Sequence, residues 1–418
     1  MSRLKWLLTI FLRYYRNLGL RVSLYALLSL LTATLSPLTN AFLPSGITAR
    51  LDFSSVMPVL TILASSMLAV STFSLNIMVS AHRAAAETTT PRVHRILLED
   101  TTTQSVLATF IGAFVYSLGS IILYRAGFYP EEAAVVVMGV TILVVVLVVI
   151  SILRWIEHLT ELGSVDDSLR SAAGRASETL SSLARHPRFG AEALSEETVL
   201  PASLTEVRAR QSGFLQLIDV ARLHDLLSEA GCIYVEVEIG SHVLDGQVIA
   251  RVSGSVTDDK LEDLAKSFTI GSRRTQEQDA KFGLIVLSEI ASKALSPGVN
   301  DPGTAIEAIL LSTSLLWDCS RQEPDPDAFT SSNVFVRFPD QADLVTAAFA
   351  PIARDGADKI EVAVHLRRSL AALARSDERH LVEAASNMAD YAFAYSEAAG
   401  LPESEMDQLR RITVPENG

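Results

Sequence analysis

Cysteine is almost absent from this 418-residue chain: there are two, Cys232 and Cys319, in its second half. No C-x-x-C occurs, and no pair of histidines stands near either cysteine. That count excludes a disulfide framework, and two isolated thiols read as small buried side chains in a reducing compartment. Strong catalytic and metal signatures are missing too, so neither an enzymatic activity nor a cofactor or metal is expected. Basic side chains are scarce after residue 150, where 25 Lys and Arg face 42 Asp and Glu, against 10 and 6 before it. The excesses of −17 and +4 make up the net charge of −13. An acidic second part argues against nucleic acid as a partner, because a phosphate backbone needs a basic footprint.

What the chain does have is long uncharged runs. Hydrophobic residues make up 49% of it and mean hydropathy is +0.30, but the source is confined to residues 20–153. A helical span needs about 20 mostly apolar residues. Four segments qualify, over about 20–35, 56–79, 106–124 and 133–153, and residues 1–154 form a transmembrane domain whose partner is the lipid bilayer. The run VVVMGVTILVVVLVVISIL in the fourth is rich in β-branched residues, yet a strand of that length is improbable and a helix in lipid is not. The N-terminal stretch carries Arg3 and Lys5 before WLLTIFL and then RYYRNLGLR. Without a small-residue cleavage site it reads as an interfacial amphipathic helix leading into the first span.

Positive charge sets the orientation. Arg3, Lys5, Arg13, Arg16 and Arg21 precede the first span, and Arg83, Arg92 and Arg95 lie between the second and third. The other two connections hold Arg50 with Asp52, and Arg125 with Glu131 and Glu132. Both termini are therefore expected in the cytosol, in a bacterial inner membrane.

After Arg154 the fourth helix is expected to run on through RWIEHLTELGSVDDSLRSAAGRASETLSSLA, with a juxtamembrane helix and linker over 155–204. A small β-module is expected over 205–257. There CIYVEVEI alternates as a strand, with Ile233, Val235, Val237 and Ile239 on one face. Turns are marked by Gly240-Ser241 and Asp245-Gly246. The spacing is similar to a barrel-sandwich, lipoyl-like hairpin pair, but no Lys stands at a tip to carry a lipoyl or biotinyl group. Residues 258–418 have helical periodicity in LEDLAKSF, QEQDAKFGLIVLSEIASKAL, TAIEAILLSTSLLWDC and three later segments, and Pro297 ends the second of these. The fold class is an α-helical polytopic membrane domain followed by an α+β, mostly helical cytosolic domain with a small β-module.

Two stretches resemble one bacterial family. TTTPRVHRILLEDTTTQSVLATFIGAFVYSL carries a Pro-Arg pair, an Asp-x-x-x-Gln and a Phe-Ile-Gly-x-Phe-Val-Tyr run. RRTQEQDAKFGLIVLSEIASKALSPGVNDPGTA carries Arg-Thr-x-x-Gln-Asp and then Ala-Leu-Ser-Pro-Gly-Val-Asn-Asp-Pro-x-Thr-Ala. Both resemble the predicted membrane proteins grouped as domain of unknown function 2254. The resemblance spans nearly the whole chain and implies a multi-span membrane protein, with no activity to carry over. Where the family tends to have two adjacent histidines after the last span, this chain has Glu157-His158.

Three sets of residues are candidates for function. In the second span Thr61, Ser65, Ala69, Thr72, Asn76, Ser80 and Arg83 fall along one helical face. Such a stripe is either packing glue between helices or the lining of a pore, with Asn76 as constriction and Arg83 at the cytosolic mouth. An uncharged polar stripe ending in Arg suits an anion or small solute better than a divalent cation. The second set is Arg273, Arg274, Thr275, Gln278 and Asp279 with Ser296, Pro297, Gly298, Asn300, Asp301, Pro302 and Thr304. It reads either as an Arg–Asp–Asn brace of a helical hairpin, with Asp301 or Thr304 as helix cap, or as a pocket where Arg273 or Arg274 grips an anion. The third is His158 with Asp166 and Asp167, a solvated helix face or the ring of a cytosolic vestibule. The leading expectation is a homo-oligomeric channel or transport-type protein with a cytosolic assembly or gating domain. The alternative is a membrane-anchored sensor or scaffold.

Overall fold

The computed structural model describes residues 18–39, 53–88, 101–129, 133–161, 164–227, 231–254 and 256–415. The chain divides into two compact units that part between Asp167 and Ser168. The amphipathic N-terminal segment and the charged connections at Arg50, at Arg92 and Arg95, and at Glu131 and Glu132 lie outside the described residues.

Among the described residues the first unit contains four helices: α1 (Leu18–Thr39), α2 (Phe53–Thr88), α3 (Thr101–Arg125) and α4 (Ala134–Glu161). Three segments among the described residues are long and apolar enough to cross a membrane: Phe53–Ala81, Thr102–Arg125 and Ala134–Leu159. The shortest has 24 residues, which at about 1.5 Å per residue exceeds a hydrocarbon core of about 30 Å. These match the second, third and fourth expected spans. The first falls in α1, whose apolar stretch is only Val22–Thr32, short of that length.

Helix α3 is the most enclosed. Its Val106, Phe110, Ala113 and Tyr116 meet Val56, Leu60, Val137 and Val144 in one core. Helix α1 lies against it at two glycines. A Cβ on Gly112 would stand 2.2 Å from Tyr25 Cδ2, and one on Gly119 would stand 2.8 Å from Ser29 Oγ. Two tyrosines inside the bundle find partners across it: Tyr116 and Thr141 share a hydroxyl contact of 3.2 Å, and the Tyr129 hydroxyl donates to the Ser29 carbonyl at 3.1 Å. Helix α4 turns Ile142, Leu143, Val146, Val149, Ile150 and Leu153 outward, an apolar face suited to lipid.

The expected unbroken helix beyond Arg154 stops at Glu161, and α5 (Val165–Arg185) starts afresh. The Ser164 hydroxyl accepts from Asp167 N at 2.9 Å, an N-cap bond that starts a new helix. Asp166 and Asp167 occupy its first turn, where negative charge complements the helix dipole.

Among the described residues of the second unit α5 leads to eight strands. These are β1 (Glu192–Ala193), β2 (Leu204–Arg208), β3 (Gly213–Ile218), β4 (Ile233–Val235), β5 (His242–Val243), β6 (Val248–Ser253), β7 (Phe268–Gly271) and β8 (Val334–Val336). Helix α6 (Val220–Leu227) follows β3, and α7 (Asp258–Ala265) follows β6. A five-stranded sheet has the order β1-β8-β4-β6-β2, and a three-stranded one the order β5-β3-β7. The two sheets thus draw β1, β7 and β8 from outside residues 205–257. The strand expected across 232–239 ends at Val235, where β8 runs out: the parallel partner of Val235 is Val336, the last residue of β8, and the register with β6 ends at the same residue, opposite Ala250. Glu236 turns instead to an ion pair with Arg251, and Glu238 to one with Lys281 at 2.6 Å.

Six helices complete the described part of the unit: α8 (Ala280–Leu295), α9 (Pro302–Ser320), α10 (Gln341–Asp355), α11 (Ile360–Leu373), α12 (Arg379–Ala398) and α13 (Glu403–Arg410). Helix α8 packs on α9 and α10, and α12 packs on α10 and α11. Helix α5 joins them through a buried face of Leu169, Ala172, Ala176 and Leu180. A Cβ on Gly283 of α8 would stand 2.5 Å from Ala176 Cβ.

Candidate functional site

The polar stripe of α2 lies wholly on the outside of its unit. Thr61, Ser65, Ala69, Thr72, Asn76, Ser80 and Arg83 are all exposed, while Val56, Leu60, Leu63 and Met67 on the opposite face are buried. Packing glue within the described chain is therefore not its role. The hydroxyls of Thr61, Ser65 and Thr72 donate to carbonyls of Met57, Thr61 and Leu68, one turn back, at 2.8, 2.9 and 3.0 Å. Those bonds lower the cost of a hydroxyl in lipid. Asn76 makes no such bond among the described residues, and its carboxamide faces outward with four hydrogen-bonding positions.

The second candidate set does not form one constellation. Its two halves sit at opposite ends of the 16-residue α8, roughly 24 Å apart at the helical rise. At the N-terminal end Arg274 grips Asp279, with Nε–Oδ2 at 2.6 Å and Nη2–Oδ1 at 3.0 Å. Asp279 is 3% exposed and caps α8 by accepting from Phe282 N at 3.1 Å. The helix accordingly starts at Ala280, four residues later than its periodicity predicts at Gln276. Gln278 exchanges bonds with the Ile218 main chain, accepting at 2.8 Å and donating at 3.2 Å. Gln216 donates to the Arg273 carbonyl at 2.6 Å, and Thr179 to that of Gln276 at 2.7 Å. The Arg273 side chain is exposed, and Thr275 Oγ1 is buried without a partner. Arg274 is thus already neutralised by the chain's own carboxylate and cannot also hold an anion with the same fork.

At the C-terminal end the Ser296 hydroxyl donates to the Lys293 carbonyl at 2.6 Å. Pro297, Gly298, Val299 and Asn300 form an exposed turn, with Asn300 at φ 50°. That conformation favours Asn over most side chains. Asp301 caps α9, accepting from Thr304 N at 3.2 Å and Thr304 Oγ1 at 2.5 Å, with Pro302 in the first turn. The Thr304 hydroxyl, then the main-chain donors, hold the Asp301 carboxyl below its ordinary value of 3.8. The expected Arg–Asp–Asn brace is two separate helix caps.

His158 belongs to the first unit, where its Nε2 lies 3.1 Å from the Thr103 hydroxyl. Asp166 is exposed and Asp167 partly so. No group of three or more His, Cys, Asp and Glu among the described residues is placed to hold a metal. Burial, helped by the charge of Glu378, pushes the Cys319 thiol up, which keeps it protonated and unreactive.

One polar cluster escaped the sequence reading because its members are 107 and 109 residues apart. His224 Nδ1 lies 2.8 Å from Asn333 Oδ1 and 3.1 Å from Ser331 Oγ, and Ser331 donates to the same Asn333 oxygen at 2.7 Å. An amide oxygen only accepts, so Nδ1 carries its proton and cannot take one from Ser331. The trio braces α6 against the start of β8 and is not a nucleophile–base pair.

These observations define a helical membrane protein with a mixed α+β unit after its spans. The chain belongs to the family described as "Predicted membrane protein", domain of unknown function 2254, whose pattern matches residues 16–372. Similar chains include an uncharacterized protein of Mycobacterium bovis, 27% identical over 305 residues, and one of Mycobacterium tuberculosis strain H37Rv at the same identity. Each match covers 68% of this chain and 57% of the relative's. This chain therefore spans little more than half the length of those relatives. No solved structure matches it.

Proposed function

We propose that this is a homo-oligomeric transport-type protein of the bacterial inner membrane, in which the polar face of α2 lines a path between copies. One observation carries the reading: the stripe from Thr61 to Arg83 is exposed on the single chain. Asn76 on a membrane-spanning helix is costly against hydrocarbon and stable against water or a second copy. In the proposed arrangement α1 also crosses the membrane, both termini are cytosolic, and the second unit assembles or gates the path. The uncharged stripe with Arg83 at its end suits an anion or a small neutral solute. Native mass spectrometry of the nanodisc-embedded protein tests the assembly, and bilayer recording of wild type against Asn76→Leu tests the path. A closed oligomer with altered conductance in the variant supports the reading. A strict monomer overturns it, because one polar stripe cannot enclose a conduit. A sensing role for the second unit is favoured by a different observation, a cavity beside Trp317.

A further inference from the structure

A half-open cavity of about 360 Å³ lies where the C-terminal end of α9 meets the turn before α12, lined by Trp317, Ser320, Arg321, Ser376 and Asp377. That volume falls within the range of small-molecule sites. Arg321 and Asp377 line the same cavity, are exposed, and form no ion pair with each other or with any other described residue. The Arg321 guanidinium lies over the indole of Trp317, its Cζ 5.9 Å from the ring centroid. The two serines have spent their protons. Ser320 donates to the Trp317 carbonyl at 2.8 Å, and Ser376 donates to Ser320 Oγ at 3.3 Å. What the cavity still offers is a guanidinium fork, a carboxylate, hydroxyl lone pairs and an indole surface.

We infer that this cavity binds a small zwitterion of the α-amino-acid class with an apolar side chain. The ligand carboxylate would take the Arg321 fork, which matches its planar geometry. The ammonium would donate to Asp377 and to the serine oxygens, which can only accept. The apolar side chain would cover Trp317, whose ring also favours a nearby cation. Helix-end complementarity explains a cation after α9 and an anion before α12. It does not explain why both stand unpaired around one cavity with an indole. The inference stands on the second unit alone, so a monomeric, non-conducting protein leaves it intact.

Calorimetric titration of the full chain in detergent with L-phenylalanine tests it, with 3-phenylpropanoate and 2-phenylethylamine as ligands that each lack one charge. Saturable binding of L-phenylalanine is expected, with both half-ligands weaker by about tenfold or more. Arg321→Gln and Asp377→Asn should each weaken L-phenylalanine by about tenfold or more at unchanged melting temperature. The inference is overturned by no saturable heat up to about 10 mM, by a half-ligand binding as well as the amino acid, or by variants that bind as wild type. If a variant does not fold, the half-ligand comparison on the wild-type protein decides.

Discussion

Arg274 clasps Asp279 through both carboxylate oxygens directly beneath Gly240. A Cβ on Gly240 would stand 1.9 Å from Asp279 Oδ2 and 2.6 Å from Arg274 Nε. The pair ties the loop after β7 to the first turn of α8, and the guanidinium also lies over the Phe282 ring at 5.1 Å. Gly240, at φ +86°, is the residue that lets the preceding turn pass this close.

Removing one partner of such a pair leaves the other charge buried, a loss of about 3–5 kcal/mol where burial is complete. Asp279 is nearly enclosed, while the Arg274 side chain keeps 20% of its exposure, so Asp279→Ala should cost near the lower end of that range. Gly240→Ala should destabilise more than Gly246→Ala. Both glycines have positive φ, but nothing lies within 4 Å of a Cβ on Gly246. Backbone strain alone is worth about 1–2 kcal/mol. Thermal unfolding of the full chain compares the two, and equal losses would show that the approach to Asp279 carries no weight.

The contact between α5 and α8 gives a sharper test, because the clash can be relieved from the other side. Gly283→Ala should destabilise by about 1–3 kcal/mol through overpacking against Ala176. Adding Ala176→Gly should restore part of that loss, whereas Ala176→Gly alone should be destabilising because it weakens a helix interior by about 1 kcal/mol. The coupling is read as a double-mutant cycle. Simple additivity of the two losses would mean that the helices do not meet at this point.

How far the sequence foretold this molecule follows from the range of each signal. Three spans were legible because about 20 apolar residues in a row are a local property. The cap of α9 by Asp301 was legible because Asp-Pro-x-Thr places the acceptor, the proline and the donor within four residues. The break at Ser164 was not, since its hydroxyl competes with a helical pattern on both sides. Strand β8 was invisible as a partner of β4 because Val336 and Val235, which stand in parallel register, are 101 residues apart in the chain. For the candidate residues, spacing along the chain suggested that Arg273, Asp279 and Asp301 formed one network. A helix of 16 residues between Asp279 and Ser296 forbids that. The outward face of the α2 stripe was also beyond sequence, because periodicity identifies a face and not what covers it.

Asp301 supplies a prediction in pH. Its carboxyl is held below 3.8 in the folded chain, chiefly by the Thr304 hydroxyl. A depressed folded value means that the ionised cap contributes stability above the unfolded value, and that this contribution fades as pH falls through the folded one. Asp301→Ala should therefore cost about 1 kcal/mol near neutrality, the usual worth of a helix cap. The gap between wild type and variant should close as pH drops below 3.8. Asp301→Asn, which keeps an acceptor, should lose less and show little of this pH dependence. A constant gap from neutral to acid pH would assign the loss to something other than the ionised cap.

The outward stripe of α2 can be probed with single cysteines, after Cys232 and Cys319 are both replaced by serine. Cysteines at Thr61, Ser65, Thr72 and Asn76 sample the polar face, while those at Ile62, Leu68 and Phe73 sample apolar positions exposed on the same helix. Thiols react as thiolates, and thiolates form in water and not in hydrocarbon. If the polar face lines a hydrated path, a membrane-impermeant thiosulfonate should modify its cysteines about tenfold or more faster than the apolar set. A path closed at Asn76 should also slow modification on the side of the constriction away from the added reagent. Equal and slow modification of both sets would place the stripe against lipid or in a dry contact between copies, and the transport reading would fail.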